Sequence, residues 1–475
     1  MSADLSVLSD LGELLFAPRG IAIVGASEDR DKLSGRPLDY LRSFGYAGEV
    51  FPVNPRRETA QGVPTFPSVA AIGRPIDLAI IVLPARLVAD AISDCVHAGV
   101  GVAIVFASGL AEIGGPGSEL QAEIDRRMAG SPMRLIGPNC LGTFALPNHV
   151  FATFSSAFDV QDGELRDEPI ALVSQSGAVG TFIYSSFANV GGGVRYFANP
   201  GNEADVTTPE LLLNLAHRDD VDILAGHLEG LRQPDVLRAA AATALAADKP
   251  LIVLKAGCTE AGRRAAAAHT ASEVGDDAAF DELARDAGII RVPGLEDVVD
   301  ALLAFRPGRR AKGRRVTIVT QSGGAGVLAA DQAHQHDLDP SPWPVADRAG
   351  LAGVVPSFGS CQNPIDVTGV LLTDPPLLER VLNEVINHDG TDVVLVLLGN
   401  SDRNCEVIVD ALKRAYAATD KPFVVVWTGG SGRPRQWLLA DGIPTYTDPA
   451  RGVRALAHVV RFSLHRAAAH LPLAG

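Results

Sequence analysis

At 475 residues the chain exceeds one ordinary hydrophobic core, and about two to four domains are expected. Its 47% hydrophobic and 20% charged residues are ordinary for a globular protein, and a formal net charge of -15 excludes a general nucleic-acid binder. The 5 cysteines lie far apart with no CxxC, which argues against a disulfide framework or a zinc site and for a reducing cytosol.

The N-terminal stretch MSADLSVLSDLGELLFAPRG has no basic segment ahead of an apolar one, so no secretory signal is expected. No apolar run reaches the ~20 residues of a membrane helix, and the expectation is a cytoplasmic protein with no membrane contact. A unit then recurs: an apolar, β-branched run, a small-residue turn and a helical pattern. The runs fall at 21–24, 78–83, 102–106, 170–173, 223–228, 251–254, 316–319, 393–398 and 423–427. Their hydrophobicity is continuous rather than alternating, which means burial on both faces. Strands of this kind alternating with helices predict an α/β protein of parallel, doubly wound sheets.

The first run ends in Val24-Gly25-Ala26-Ser27. Small residues there let backbone N–H groups approach an anion at the start of a following helix. The full G-x-G-x-x-G fingerprint is absent, since Glu28-Asp29-Arg30 follow. Arg30, Lys32, Arg56 and Arg57 are nearby cations for the phosphates of a nucleotide-like ligand. The next strand ends in Pro52-Val53-Asn54-Pro55-Arg56, which suits a phosphate better than a ribose diol and makes an NAD(P)-dependent oxidoreductase the weaker alternative. GPNCLG at 137–142 sits at a strand end, where open α/β sheets bind ligands. Cys140 within it has no histidine near it in sequence and reads as a small packing cysteine before a nucleophile. The capping-box spacing of Thr207-Thr208-Pro209-Glu210 marks a helix start. A polar stretch at 147–169 and the basic segment 306–315, read as a solvated linker, divide the chain into domains at 1–148, 149–308 and 309–475.

The second and third domains read as copies. Gln-Ser-Gly recurs at 175–177 and 321–323, and Asp248-Lys-Pro-Leu-Ile-Val-Leu matches Asp420-Lys-Pro-Phe-Val-Val-Val. Each Gln-Ser-Gly turn can aim free N–H groups at a phosphoryl group, which makes Ser176, Gly177, Ser322 and Gly323 candidate phosphate binders. Neither turn is a Walker loop, and Ser176 lacks the G-x-S-x-G frame of a serine hydrolase. The copies also differ. Glu229 falls opposite Gly399, and His269 opposite Asp441. The first copy thus carries a carboxylate and an imidazole that the fold does not require. A neutral imidazole accepts a phosphoryl group, and a carboxylate stabilises the charge left on the ring. His227, two residues from Glu229, is the rival, less mobile because it lies inside a strand.

Together and in this order, IAIVGAS (21–27), FPVNPR (51–56), IVLPA (81–85), FASGLAEIG (106–114), GPNCLG (137–142), VSQSGAVG (173–180), HLEG (227–230), KAGCTEAGRRAAAAHT (255–270), TQSGGAGVLAAD (320–331) and NPIDVTG (363–369) resemble the α subunit of ADP-forming acetyl-CoA synthetases and, more distantly, of succinyl-CoA synthetase. The resemblance covers roughly 15–465. It implies an N-terminal Rossmann-like coenzyme A-binding domain followed by two flavodoxin-like domains. It implies coenzyme A held by Gly25, Ala26, Ser27, Lys32, Asn54, Arg56, Pro84 and Asn139. It implies His269 as the phosphorylated residue on a mobile loop, Glu229 as its stabiliser, and the two Gln-Ser-Gly turns facing it. Two departures stand out: Ala267-Ala268-His269-Thr270-Ala271 replaces the usual Ser-Ser-His-Thr-Gly, and the second turn begins Gln-Ser-Gly rather than Asn-Ala-Gly or Asn-Gly-Gly. The chain ends soon after the third domain, so NTP and Mg²⁺ are expected on a separate ATP-grasp β subunit, in a hetero-oligomer that activates a small carboxylic acid. This chain itself is expected to hold no metal. A non-catalytic coenzyme A sensor or scaffold is the other alternative.

Overall fold

The computed structural model describes residues 5–159, 165–269, 275–403 and 405–469, with side chains for all of these except 5–10 and 267–269. The described chain forms two compact units that divide between Leu295 and Glu296.

The first unit opens with α1 (Leu5–Phe16) and a parallel sheet built from β1 (Gly20–Val24), β2 (Glu49–Val53), β5 (Leu78–Ile81), β6 (Val102–Val105) and β7 (Arg134–Ile136), in the order β2-β1-β5-β6-β7. A short hairpin of β3 (Thr59–Ala60) and β4 (Val63–Pro64) interrupts it, and α2 (Arg36–Ser43), α3 (Val88–Ala98) and α4 (Pro116–Met128) connect the strands. Every residue of β1, β5 and β6 is buried. Alternate residues serve two cores, because successive side chains leave a strand on opposite faces. Ile21 and Ile23 pack with Leu11 and Leu15 of α1, while Ala22 and Val24 pack with Val88 and Ile92 of α3 and Ile124 of α4. Burial on both faces is what the continuous apolar runs predict.

The second sheet contains β8 (Gly142–Ala145), β9 (Val150–Thr153), β10 (Ile170–Ser174), β11 (Tyr196–Asn199), β12 (Ile223–Leu228), β13 (Leu251–Lys255) and β14 (Ile290–Val292), in the order β14-β13-β12-β10-β11-β8-β9. Its helices are α5 (Gly177–Asn189), α6 (Thr208–Ala216), α7 (Pro234–Ala246), α8 (Glu260–His269) and α9 (Asp277–Asp286). The hairpin β8–β9 joins antiparallel to β11, so this sheet begins at Gly142. The expected break at 148 falls inside that hairpin. The polar residues there make a turn between two fully buried short strands, not a linker. One continuous core runs through both sheets, and Arg134 of β7 ties them with forked hydrogen bonds to Asp205 and Glu210 at 2.8–3.1 Å. The helix start at Thr207 is as predicted, its hydroxyl accepting from Glu210 N. The Glu210 carboxylate, however, goes to Arg134, a stronger charged partner than the backbone amide of a capping box.

The second unit begins with α10 (Leu295–Phe305) and holds a parallel sheet of β15 (Val316–Thr320), β16 (Ile365–Asp366), β17 (Val393–Gly399), β18 (Phe423–Thr428) and β19 (Thr445–Tyr446), ordered β16-β15-β17-β18-β19. With it run α11 (Gly323–Gln335), α12 (Ala349–Ala352), α13 (Leu377–Asn387), α14 (Cys405–Ala417), α15 (Arg433–Ala440) and α16 (Pro449–Ala468). The first five strands of the repeat, β10 to β14, adopt the same order as β15 to β19: second, first, third, fourth, fifth. The duplication visible in the sequence is therefore a duplication of topology.

Helix α10 packs with this unit, so the compact units divide at 295, ahead of the expected domain boundary at 308. Asp300 is chelated by Arg451 of α16 at 2.7 Å, its carbonyl accepts from Tyr446 Oη at 2.7 Å, and Phe305 meets Phe462 edge-on. The basic segment after it is also anchored rather than a free tether. The Arg309 guanidinium lies 3.5 Å over the Tyr416 ring and donates to Tyr416 O and Lys421 O, while Ala311 N donates to Ser463 Oγ from a buried position. Arginine stems cover apolar and aromatic surface readily, so a basic run need not be solvated throughout.

Candidate functional site

The carboxyl ends of the first two sheets open onto one cleft of about 570 Å³. From the first sheet come Pro84 after β5, Phe106 and Ala107 after β6, and Asn139, Cys140 and Leu141 after β7. From the second come Gln175 and Ser176 between β10 and α5, Gly177 at the start of α5, Asn199 at the end of β11, Glu203 after it, and Glu229 and Arg232 after β12. Ligands in open α/β sheets bind at such carboxyl ends, where strands stop and helices begin.

Glu229 emerges from a turn clamped on two sides. The Gln175 side chain accepts from Glu229 N at 2.5 Å and Gly230 N at 3.0 Å and donates to Gly230 O at 2.9 Å. Lys255, buried at the end of β13, donates from Nζ to Glu229 O at 2.9 Å, and burial holds its ammonium below its ordinary pKa. The second copy repeats the first brace: Gln321 Nε2 donates to Gly399 O and its Oε1 accepts from Ser401 Oγ at 2.8 Å. The glutamine of each Gln-Ser-Gly turn is thus a strut between the first and third strand ends. Sequence reasoning passed over Gln175 in favour of its Ser-Gly neighbours. Its recurrence in both copies was the signal that the fold itself uses it.

Ser176 and Gly177 stand at the start of α5. The Ser176 carbonyl accepts from Ser174 Oγ at 2.7 Å, and a Cβ on Gly177 would sit 2.5 Å from Leu141, so only glycine lets this helix start lie against the first domain. Ser322 and Gly323 occupy the matching place at α11 in the other unit, with Thr320 Oγ1 donating to Ser322 O at 2.9 Å and Ser322 Oγ capping Ala325 N.

Of the other expected residues, Pro84 and Asn139 line the cleft. Gly25, Ala26, Ser27, Lys32, Asn54 and Arg56 do not; they cluster beside it at the ends of β1 and β2, from which only Leu33 reaches the lining. Gly25 has φ +94°, and a Cβ there would lie 2.5 Å from Val82 O, so the turn requires glycine. It does not lead directly into a helix. α2 starts only at Arg36, because the intervening loop is folded on itself: Ser27 N donates to Ser34 O, Asp29 N to Ser27 Oγ, and Asn54 Nδ2 to Ala26 O. Lys32 pairs with Asp29 at 3.4 Å and Arg30 with Asp39 at 3.2 Å.

His227 is buried in β12, its Nδ1 3.2 Å from Ser174 Oγ; burial and the nearby Lys255 charge push its pKa down to about 4, which keeps it neutral and fixed. His269 closes α8, and its side chain lies outside the described residues, as do residues 270–274. The stretch leading to it is helix rather than loop, in keeping with the alanines at 265–268. The Cys140 thiol donates to Val105 O at 3.3 Å and burial pushes it up to about 12, the state of a packing cysteine. A polar relay unseen in the sequence crosses the cleft: Asn139 Nδ2 donates to Asn202 Oδ1 at 3.2 Å, and Asn202 Nδ2 to Glu112 Oε2 at 2.6 Å.

Comparison with known proteins agrees with this arrangement. A family model described as a CoA binding domain matches residues 19–145, and one described as a succinyl-CoA ligase like flavodoxin domain matches 167–305. The ADP-forming acetate–CoA ligase of Methanocaldococcus jannaschii is 30% identical over 452 residues, 94% of this chain but 62% of that protein, so this chain spans less than two thirds of it. The α subunit of ADP-forming acetate–CoA ligase I of Pyrococcus furiosus is 29% identical, with 96% of this chain and 98% of that subunit covered. A solved Ca. Korarchaeum cryptofilum acetyl-coenzyme A synthetase 1, in complex with phosphate and ADP, superposes with a TM-score of 0.87 at 30% identity, covering 98% of this chain and 100% of that one. On its domain types, their order and this full-length match, the chain belongs to the ADP-forming acyl-CoA synthetase family.

Proposed function

We propose that this chain is the coenzyme A-binding, phosphohistidine-carrying subunit of an acid–CoA ligase that converts acid, coenzyme A and NTP to acyl-CoA, NDP and phosphate. One observation carries this reading: a single cleft receives Pro84 and Asn139 from the CoA-binding sheet and Glu229 with the start of α5 from the flavodoxin-like sheet. Two substrates that must react are thereby offered one meeting place.

In this reading a partner subunit of the ATP-grasp type holds the nucleotide and Mg²⁺ and phosphorylates His269. The Glu229 carboxylate offsets the positive charge on the phosphorylated ring. The phosphoryl group passes to the carboxylate of a small acid, and the thiol of coenzyme A attacks the acyl carbon and releases phosphate. Covalent catalysis splits one hard transfer into easier ones. The clamp of Gln175 and Lys255 on the 229–230 turn keeps Glu229 in place through these steps. The loop cluster of Gly25, Ala26, Ser27, Lys32, Asn54 and Arg56, beside the cleft, takes the nucleotide end of coenzyme A.

The test is γ-labelled NTP supplied with the partner subunit. Acid-labile, base-stable phosphate should appear on His269, and His269→Asn should abolish it while coenzyme A binding persists. Label that survives in His269→Asn would move the carrier role elsewhere, and robust turnover by this chain alone would defeat the two-subunit assignment.

A further inference from the structure

The cleft sets an electrostatic problem for the reaction assigned to it. An acid's carboxylate, an acyl phosphate and inorganic phosphate are all anions. Yet the charged residues that line the cleft, among those described, are three glutamates, Glu112, Glu203 and Glu229, and one cation, Arg232. Like charges around one site disfavour an anion unless a strong donor compensates.

Arg232 lies in the turn between β12 and α7. Its Nη1 donates to the backbone carbonyl of Glu203 at 3.1 Å, and among the described residues it takes part in no ion pair within 4.0 Å. Its charge is felt by the Glu203 carboxylate, but a bond to a carbonyl closes no ion pair, so its remaining N–H donors stay available. Glu203 and Glu112 are held by backbone and side-chain donors of the protein. Glu203 is 4% exposed, burial pushes its carboxyl upward, and Oε1 accepts from Thr208 N at 2.7 Å. Glu112 accepts from Gly109 N at 2.5 Å and Leu110 N at 3.2 Å as well as from Asn202. Arg232 is left, among the described residues, as the one oriented cation of the cleft, with N–H donors to spare.

We infer that Arg232 is the oxyanion anchor of this cleft, holding the carboxylate of the acid substrate and the phosphate that the reaction releases; the inference rests on the ligase reading given above. A guanidinium presents two parallel N–H donors to either group, the geometry that carboxylate and phosphate both match, whereas a lysine would offer a point charge.

The experiment uses the full chain without partner or nucleotide. Inorganic phosphate, acetate and coenzyme A are titrated separately by calorimetry. The wild type should bind all three. Arg232→Gln should weaken phosphate and acetate by roughly tenfold or more, while Arg232→Lys recovers part of that loss. Coenzyme A affinity should be the same in all three proteins, which also reports that the variants fold. Loss of phosphate binding alone would remove the carboxylate from the anchor and overturn that half of the inference. Unchanged phosphate and acetate affinities in Arg232→Gln, or no binding of either anion by the wild type, would overturn it entirely. Failure of the wild type to bind coenzyme A would defeat the ligase reading, while the two anion titrations would still decide the role of Arg232.

Discussion

Replacing Gln175 with alanine isolates what holds Glu229. The change removes three hydrogen bonds to the 229–230 turn, two of which are accepted from the backbone N–H groups of Glu229 and Gly230. At about 1 kcal/mol net for each of those two bonds, the closed turn loses about 2 kcal/mol, a roughly thirtyfold larger open population. Hydrogen–deuterium exchange read on a peptide spanning 226–232 should accelerate by about that factor. The second copy supplies the control. Gln321 bonds a carbonyl and a hydroxyl at 399–401 and no backbone N–H there, so Gln321→Ala should leave amide exchange at 399–401 nearly unchanged. With the partner present, the phosphohistidine of Gln175→Ala should also be shorter-lived. Exchange at 226–232 altered by less than about threefold would refute the strut, and equal acceleration at both turns would refute the distinction between the copies.

Gly25→Val should lower stability by about 2–4 kcal/mol and weaken coenzyme A binding, since the side chain would enter a left-handed backbone position against Val82 O; denaturant unfolding paired with calorimetry checks both. Arg134→Met leaves Asp205 and Glu210 without their shared guanidinium at the junction of the two sheets and should cost about 2 kcal/mol, read as a lower Tm. His227 gives a pH prediction. Its folded pKa of about 4 lies below the ordinary histidine value near 6.5, so the unfolded chain binds the proton first and stability falls as pH drops from about 6.5 to about 4. His227→Gln should flatten that part of the stability–pH curve, and an unchanged curve would show that the imidazole is not held neutral.

The linear sequence by itself determined the class of fold and its internal repeat. Continuous apolar runs such as 170–173 and 316–319 demand burial on both faces, and only helix-covered parallel sheets provide it. The two Gln-Ser-Gly turns and the two Asp-Lys-Pro strands marked a duplicated unit, and both copies adopt one strand order. Glu229 stood out because its counterpart is Gly399. Other features were settled only by tertiary structure, because hydrophobicity records that a segment is buried and not against what. The strands of 142–145 and 150–153 are too short to declare their sheet; the first pairs with β11 across some fifty residues of chain and the second follows it as the edge strand. Helix α10 is apolar on most sides, so its sequence could not say which sheet it covers until Asp300 met Arg451. The same holds for the cleft. Pro84, Asn139, Ser176, Glu229 and Arg232 span about 150 residues of sequence, and they converge because parallel strands all deliver their carboxyl ends to one edge, and two such edges face each other across a shared core.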